Sequence, residues 1–148
     1  MNSYLGARTV DEQRKGGAPA ADANAYSAGY WQFRKYSQLL NPGPAKTWVF
    51  LDEHPQGIND GWFAVDMGGY DPSKPNLYTI VDFPASYHNR ACGFSFADSH
   101  AEIKKWQWTK TCPPADKALS LGQASANSPD VAWLQERTSS KVKNPTRN

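Results

Sequence analysis

Two stretches of this chain gather side chains that can do chemistry. The first is Leu51-Asp52-Glu53-His54-Pro55-Gln56-Gly57-Ile58-Asn59-Asp60-Gly61-Trp62. Two carboxylates open it and an Asn and an Asp close it, so Asp52, Glu53, Asn59 and Asp60 can bring oxygen atoms together at the ends of one loop while the carbonyls between them turn inward. A hard cation suits such a set, because Ca2+ takes six to eight oxygen ligands whereas zinc prefers nitrogen and sulfur. The spacing is not that of an EF-hand. The same letters also describe a plain turn in which Asp and Asn side chains bond neighbouring backbone amides, and on residue types alone both readings stand.

The second stretch is His88-Asn89-Arg90 followed by Asp98-Ser99-His100-Ala101-Glu102. Strand alternation places His100 and Glu102 on one side, and a hairpin could carry His88 towards them. Two imidazoles and a carboxylate could then hold zinc with an open position for activated water. Either this set or the first loop would serve a metal-dependent hydrolase of a small ester or lactone. A turn Asp flanked by exposed hairpin histidines explains the same residues without any metal. Ser86, Ser95 and Ser99 occur near histidines, but no Gly-x-Ser-x-Gly elbow supports a nucleophilic triad. No Cys-x-x-Cys is present, which argues against a structural zinc site. Cys92 and Cys112 leave one pairing, open to an oxidising compartment, whose loop of about 20 residues would contribute about 3 kcal/mol by the chain-entropy estimate.

These residues must be positioned by short strands. Thr47–Leu51, Gly61–Val65 and Leu77–Phe83 are β-branched and aromatic runs bounded by turn formers, and they predict three strands. Gly93–Ala97 and Ala101–Trp106 flank Asp98-Ser99-His100 as a hairpin, with Phe94 and Phe96 on one face and Ile103 opposite Glu102 and Lys104. Tyr30–Leu40 fits helix or strand. Ser128-Pro129-Asp130 supplies an N-cap, a first-turn Pro and a first-turn acid, which predicts a short helix to Thr138 with Val131 and Leu134 facing inward.

The composition bounds the rest. The 148 residues carry 16 basic and 14 acidic side chains, a formal charge of +2, and this length predicts one domain. Aliphatic residues are few, but 6 Trp, 7 Tyr and 6 Phe supply the apolar area for a small aromatic core, while 11 Gly and 11 Pro predict much irregular loop. Residues 9–29 predict a long loop within that domain (1–140), and 141–148 a flexible basic tail. No apolar run approaches a membrane span and no secretory leader is visible, so the chain as written reads as soluble. Without a run of Lys or Arg there is no footprint for nucleic acid.

Five segments resemble one family. Phe50-Leu51-Asp52-Glu53-His54-Pro55, Ile58-Asn59-Asp60-Gly61, Pro84-Ala85-Ser86-Tyr87-His88-Asn89, Gly93–Glu102 and Asp130–Thr138 look like the C-terminal half of bacterial prepilin-type proteins, which carry a His, nine residues and then Asp-Gly and are numerous in Verrucomicrobia and Planctomycetes. His88 and Asp98 have that interval, with Ser99 in place of the Gly. The resemblance covers roughly residues 1–5 and 30–140 and is most specific over Ser86–Glu102. It implies an α+β, pilin-like head with an antiparallel sheet of about four or five strands, long irregular loops and a short C-terminal helix. The function implied is that of a pseudopilin or pilus subunit, periplasmic or at the cell surface, which meets other subunits through an N-terminal apolar helix that this chain does not contain. Type II secretion pseudopilins of this architecture hold calcium in a loop between strands, and the resemblance carries that role to Asp52, Glu53, Asn59 and Asp60, with Asp98 a lesser candidate.

Overall fold

The computed structural model describes residues 1–6 and 29–142, together with the backbone of Pro19–Ala20. In chain order the elements are β1 (Pro19–Ala20), β2 (Tyr30–Trp31), β3 (Trp48–Leu51), β4 (Thr79–Ile80), β5 (Ala91–Phe96), β6 (Ala101–Lys105), β7 (Gln123–Ala124) and one helix, α1 (Pro129–Gln135). Single 3-10 turns lie at Tyr36–Gln38, Pro75–Leu77 and Thr109–Thr111. The predicted 9–29 loop lies outside the described residues except for β1 and Gly29, as does the tail beyond Val142.

The fold is α+β with antiparallel sheets. Its main sheet has three strands in the order β3-β5-β6, and β1-β2 and β4-β7 form separate pairs. The expected single sheet of four or five strands is therefore corrected. Gly61–Val65 forms no strand: Phe63 donates its amide to the Met1 carbonyl (2.7 Å), Ser3 donates to Phe63 (3.1 Å), and Ala64 donates to the Asp82 carboxylate (2.6 Å). An aromatic run reads as a strand, but here the first residues of the chain and one side chain satisfy its backbone. In Leu77–Phe83 only Thr79–Ile80 is strand, paired with β7. Tyr30–Leu40 divides into β2 and a 3-10 turn.

β5 is the central strand because its residues alternate in size. Cys92, Phe94 and Phe96 point into the core, while Gly93 and Ser95 leave a nearly bare outer face. Two reversals bracket it. Ala91 N–H donates to the His88 carbonyl (3.1 Å) across Asn89 and Arg90, both at positive φ (55° and 60°). At the other end Ser99 N–H donates to Phe96 (3.0 Å), with Ser99 at φ 78°. The tight turn thus forms with Ser99 in the left-handed position.

The core is aromatic. Phe94 meets Trp48 (6.0 Å), Trp106 (6.0 Å) and Trp133 (4.9 Å) in edge-to-face contacts, and Trp48 also meets Phe63 (5.8 Å). Such pairs add about 1 kcal/mol each beyond the area they bury. The polar ends of the tryptophans are satisfied: Trp48 Nε1 donates to Thr138 Oγ1 (2.9 Å) and Trp106 Nε1 to the Ala85 carbonyl (2.8 Å).

The helix α1 begins as its sequence signals direct. Ser128 Oγ accepts from Val131 N–H (3.2 Å), Pro129 occupies the first turn, and Val131 and Leu134 are buried. The helix ends at Gln135, shorter than the expected run to Thr138. Cys92 and Cys112 are both free, so the disulfide is not formed. Cys92 instead donates its thiol to the Asp52 carbonyl (3.2 Å).

Candidate functional site

The loop after β3 is strapped to the segment 82–85. Glu53 bridges Pro84, His54 N–H donates to the Phe83 carbonyl (2.9 Å), and Ala85 N–H donates to the Asp52 carbonyl (2.8 Å). Extended backbone turns successive side chains to opposite faces. Asp52 accordingly faces the outer side of the sheet, where a methyl group on Gly93 would come within 3.4 Å of its carboxylate. Glu53 turns the other way, towards Asp82 and Asp60. Asn59 is exposed, and Asp60 Oδ1 accepts from Trp62 N–H (2.7 Å), the turn bond that a short Asp side chain makes with its own backbone. The four expected ligands therefore do not converge: Asp52 and Glu53 sit on opposite faces because they are neighbours in an extended segment just past β3.

His54, within the same loop, is fully buried. Its Nδ1 accepts from Gln56 N–H (3.2 Å) and its Nε2 lies 3.1 Å from the Pro114 carbonyl, so one neutral tautomer satisfies both contacts. It is a structural histidine that ties the loop to the segment before β7.

The carboxylate that sequence reasoning missed is Asp82. It is only 4% exposed and accepts from Ala64 N–H. Burial raises its pKa, the Ala64 bond opposes the rise, and Asp60 adds to it. Burial likewise raises Glu53 to about 7, with Asp82 and Asp60 contributing by repulsion. One Glu53 oxygen, Oε1, is buried and has no hydrogen-bond partner. Like charges near a low-dielectric site favour the protonated acid, so Glu53 is held near its titration point at neutral pH. The available signal was a single acid inside the apolar run Ile80-Val81-Asp82-Phe83.

The second predicted group is not assembled. His88 lies at the turn before β5 and His100 at the turn after it, six strand residues or roughly 20 Å apart. His88 lies edge-on to Tyr87 and is exposed. His100 stacks on Phe96 (4.3 Å between ring centres), and its Nδ1 is 2.5 Å from Asp98 Oδ1, which holds the Asp98 carboxyl below its ordinary value. Glu102 sits opposite Phe94 on the exposed strand β6. The zinc arrangement of His88, His100 and Glu102 is thus corrected by the length of β5. Ser95 Oγ accepts from Phe50 N–H (3.2 Å), and Ser86 Oγ lies 3.5 Å from the Pro113 carbonyl; both hydroxyls face backbone groups.

Among the described residues no three His, Cys, Asp or Glu side chains are grouped so as to hold a metal ion, and no helix is long and apolar enough to cross a membrane. A hollow of about 390 Å³ beside Phe83, Cys112, Lys117 and Leu119 has no histidine or carboxylate in its lining. No protein-family model matches the chain, and no curated protein or solved structure shows significant similarity to it.

Proposed function

We propose that this chain is the pilin-like head of a structural filament subunit, of the pseudopilin or pilus kind, that works by assembly and surface contact. The observation that carries this reading is the place of the His-nine-Asp interval in the fold. The nine residues between His88 and Asp98 are the Asn89-Arg90 turn, the six residues of β5, and Ala97. The interval spans a central strand and its two reversals, which is a scaffold's part of the fold. A reactive pair would need His88 and Asp98 to meet. In this reading the subunit's partners are other subunits, met through an apolar helix in the parent protein, and its setting is periplasmic or at the cell surface. The test is immunogold labelling of filaments sheared from source cells, with antibodies raised against the 148-residue chain. Label along the filaments supports the reading; bare filaments, with all antigen in the soluble extract, overturn it.

A second reading adds a calcium ion, and the partnerless Glu53 Oε1 favours it. Of the original four, Glu53 and Asp60 remain as candidate donors, because Asp52 faces the other side; among the described residues no third acid is grouped with them, so backbone carbonyls would have to complete the shell. Calorimetry of the chelator-stripped protein with calcium, magnesium and zinc tests it. Calcium-selective heat at one ion per chain, lost in Glu53→Gln and kept in Asp52→Ala, is the supporting result; no heat with any ion overturns it. The hydrolase alternative draws nothing from the positions of His88, His100 and Glu102.

A further inference from the structure

The outer edge of β6 is open, and its residues are arranged to pair with themselves. β6 is the last strand of the order β3-β5-β6. Phe96 N–H donates to the His100 carbonyl (2.9 Å) and Trp106 N–H to the Arg90 carbonyl (2.8 Å), so the even-numbered residues of β6 direct their backbone groups at β5. By the two-residue period, Ala101, Ile103 and Lys105 direct theirs away from it, and among the described residues no strand receives them. Ile103 is 81% exposed, and its cross-strand neighbour on β5 is Gly93, which offers no side chain. An apolar edge in this state invites another strand.

We propose that β6 is a dimerisation edge whose partner is β6 of a second copy of this chain, antiparallel and centred on Ile103. Charge selects both the partner and the register. With Ile103 opposite its counterpart, Glu102 faces Lys104 of the other copy in both halves, at the non-hydrogen-bonded positions where side chains approach most closely. Sliding two residues one way sets Glu102 against Glu102, and two residues the other way sets Lys104 against Lys104. A shift by one would turn the outward N–H and C=O groups out of register. The Lys104 ammonium already lies 4.0 Å from Asp130 Oδ1 and 5.3 Å from the Trp133 ring centre, so Glu102 of the other copy shares it with Asp130 and the register is set chiefly by keeping Glu102 from Glu102. The two copies of Ile103 cover each other on the outer face. The contact is isologous, each copy using the same edge, so it closes as a twofold pair. It rests on the sheet alone and does not depend on the filament reading.

Sedimentation equilibrium of the 148-residue chain from about 10 µM to about 1 mM should show a reversible dimer, in the range expected for an interface this small. Amide exchange at Ile103 and Lys105 should slow as concentration rises, while the amides of Glu102 and Lys104, which face β5, stay protected throughout. Ile103→Pro removes an edge N–H that β5 does not use and should abolish the dimer with the far-ultraviolet circular dichroism unchanged. Glu102→Lys, on an exposed side chain, should weaken the dimer at least tenfold and serves should Ile103→Pro not fold. A monomer across the whole range overturns the proposal. So does a dimer whose affinity is unchanged in Glu102→Lys and whose Ile103 and Lys105 amides exchange independently of concentration.

Discussion

Asp130 and Lys104 face each other at 4.0 Å across the junction of α1 and the sheet, and the Asp130 carboxylate also accepts from Gln107 N–H (3.0 Å) and Trp108 N–H (2.9 Å). Asp130 is fully buried. One side chain therefore ends β6, anchors the helix and neutralises an ammonium. Asp130→Ala would leave two amides and a partly buried cation without their acceptor, a change expected to cost about 3–5 kcal/mol. Urea unfolding of the variant, compared with Asp116→Ala on the exposed surface, measures it.

Glu53 gives the stability of the fold a pH dependence. Its folded pKa is raised to about 7 from 4.5, first by burial and then by Asp82 and Asp60. A raised carboxyl favours the folded state in its protonated form, so no penalty exists below the unfolded value and the full penalty is present above the folded one. Melting temperature should fall as pH rises from about 4.5 to about 7, and Glu53→Gln should flatten that slope. Because the group is half solvated, the difference at pH 8 is about 1 kcal/mol after allowance for screening. A slope identical in both proteins would remove Glu53 as its source.

Ser99 holds a left-handed conformation at φ 78° in the turn between β5 and β6. A Cβ in that region costs about 1 kcal/mol, partly offset by the greater freedom of an unfolded Gly. Ser99→Gly should therefore raise stability by about 0.5 kcal/mol in chemical denaturation, without altering the spectrum of the folded protein.

The two thiols should differ in reactivity. Burial pushes Cys92 up to about 12, and it is only 1% exposed. Cys112 is partly exposed, with the Arg90 guanidinium opposing a rise also caused by burial. Iodoacetamide should label Cys112 first and reach Cys92 only on unfolding, and peptide mapping after timed labelling would show the order.

The elements legible in the sequence were those whose determinants are local. The hairpin of β5 and β6 follows from Phe94 and Phe96 alternating with small residues up to a turn at Asp98, and α1 follows from its Ser128-Pro129-Asp130 start. Gly61–Val65 was misread because its pattern carries no record of what satisfies its backbone, which is the Met1–Ser3 segment and Asp82. The candidate ligand loop was half legible. Residue types placed Glu53 and Asp60 in one loop, but face alternation removes Asp52, and Asp82, whose charge helps to raise Glu53, comes from a segment about 30 residues later.

The side chain of Asn2 is buried and donates to the carbonyls of Trp48 (3.0 Å) and Thr138 (3.3 Å), residues 46 and 136 positions away. This single amide joins the segment at Asn2, the first strand of the main sheet and a residue three positions past the helix. On a ribosome the Asn2 side chain must therefore wait, not fully satisfied, until the 136 residues up to Thr138 have been made. Folding is then governed by the late closure of a very long loop, and release of a nascent chain shorter than Thr138 would leave the aromatic core open to solvent and to other unfinished chains.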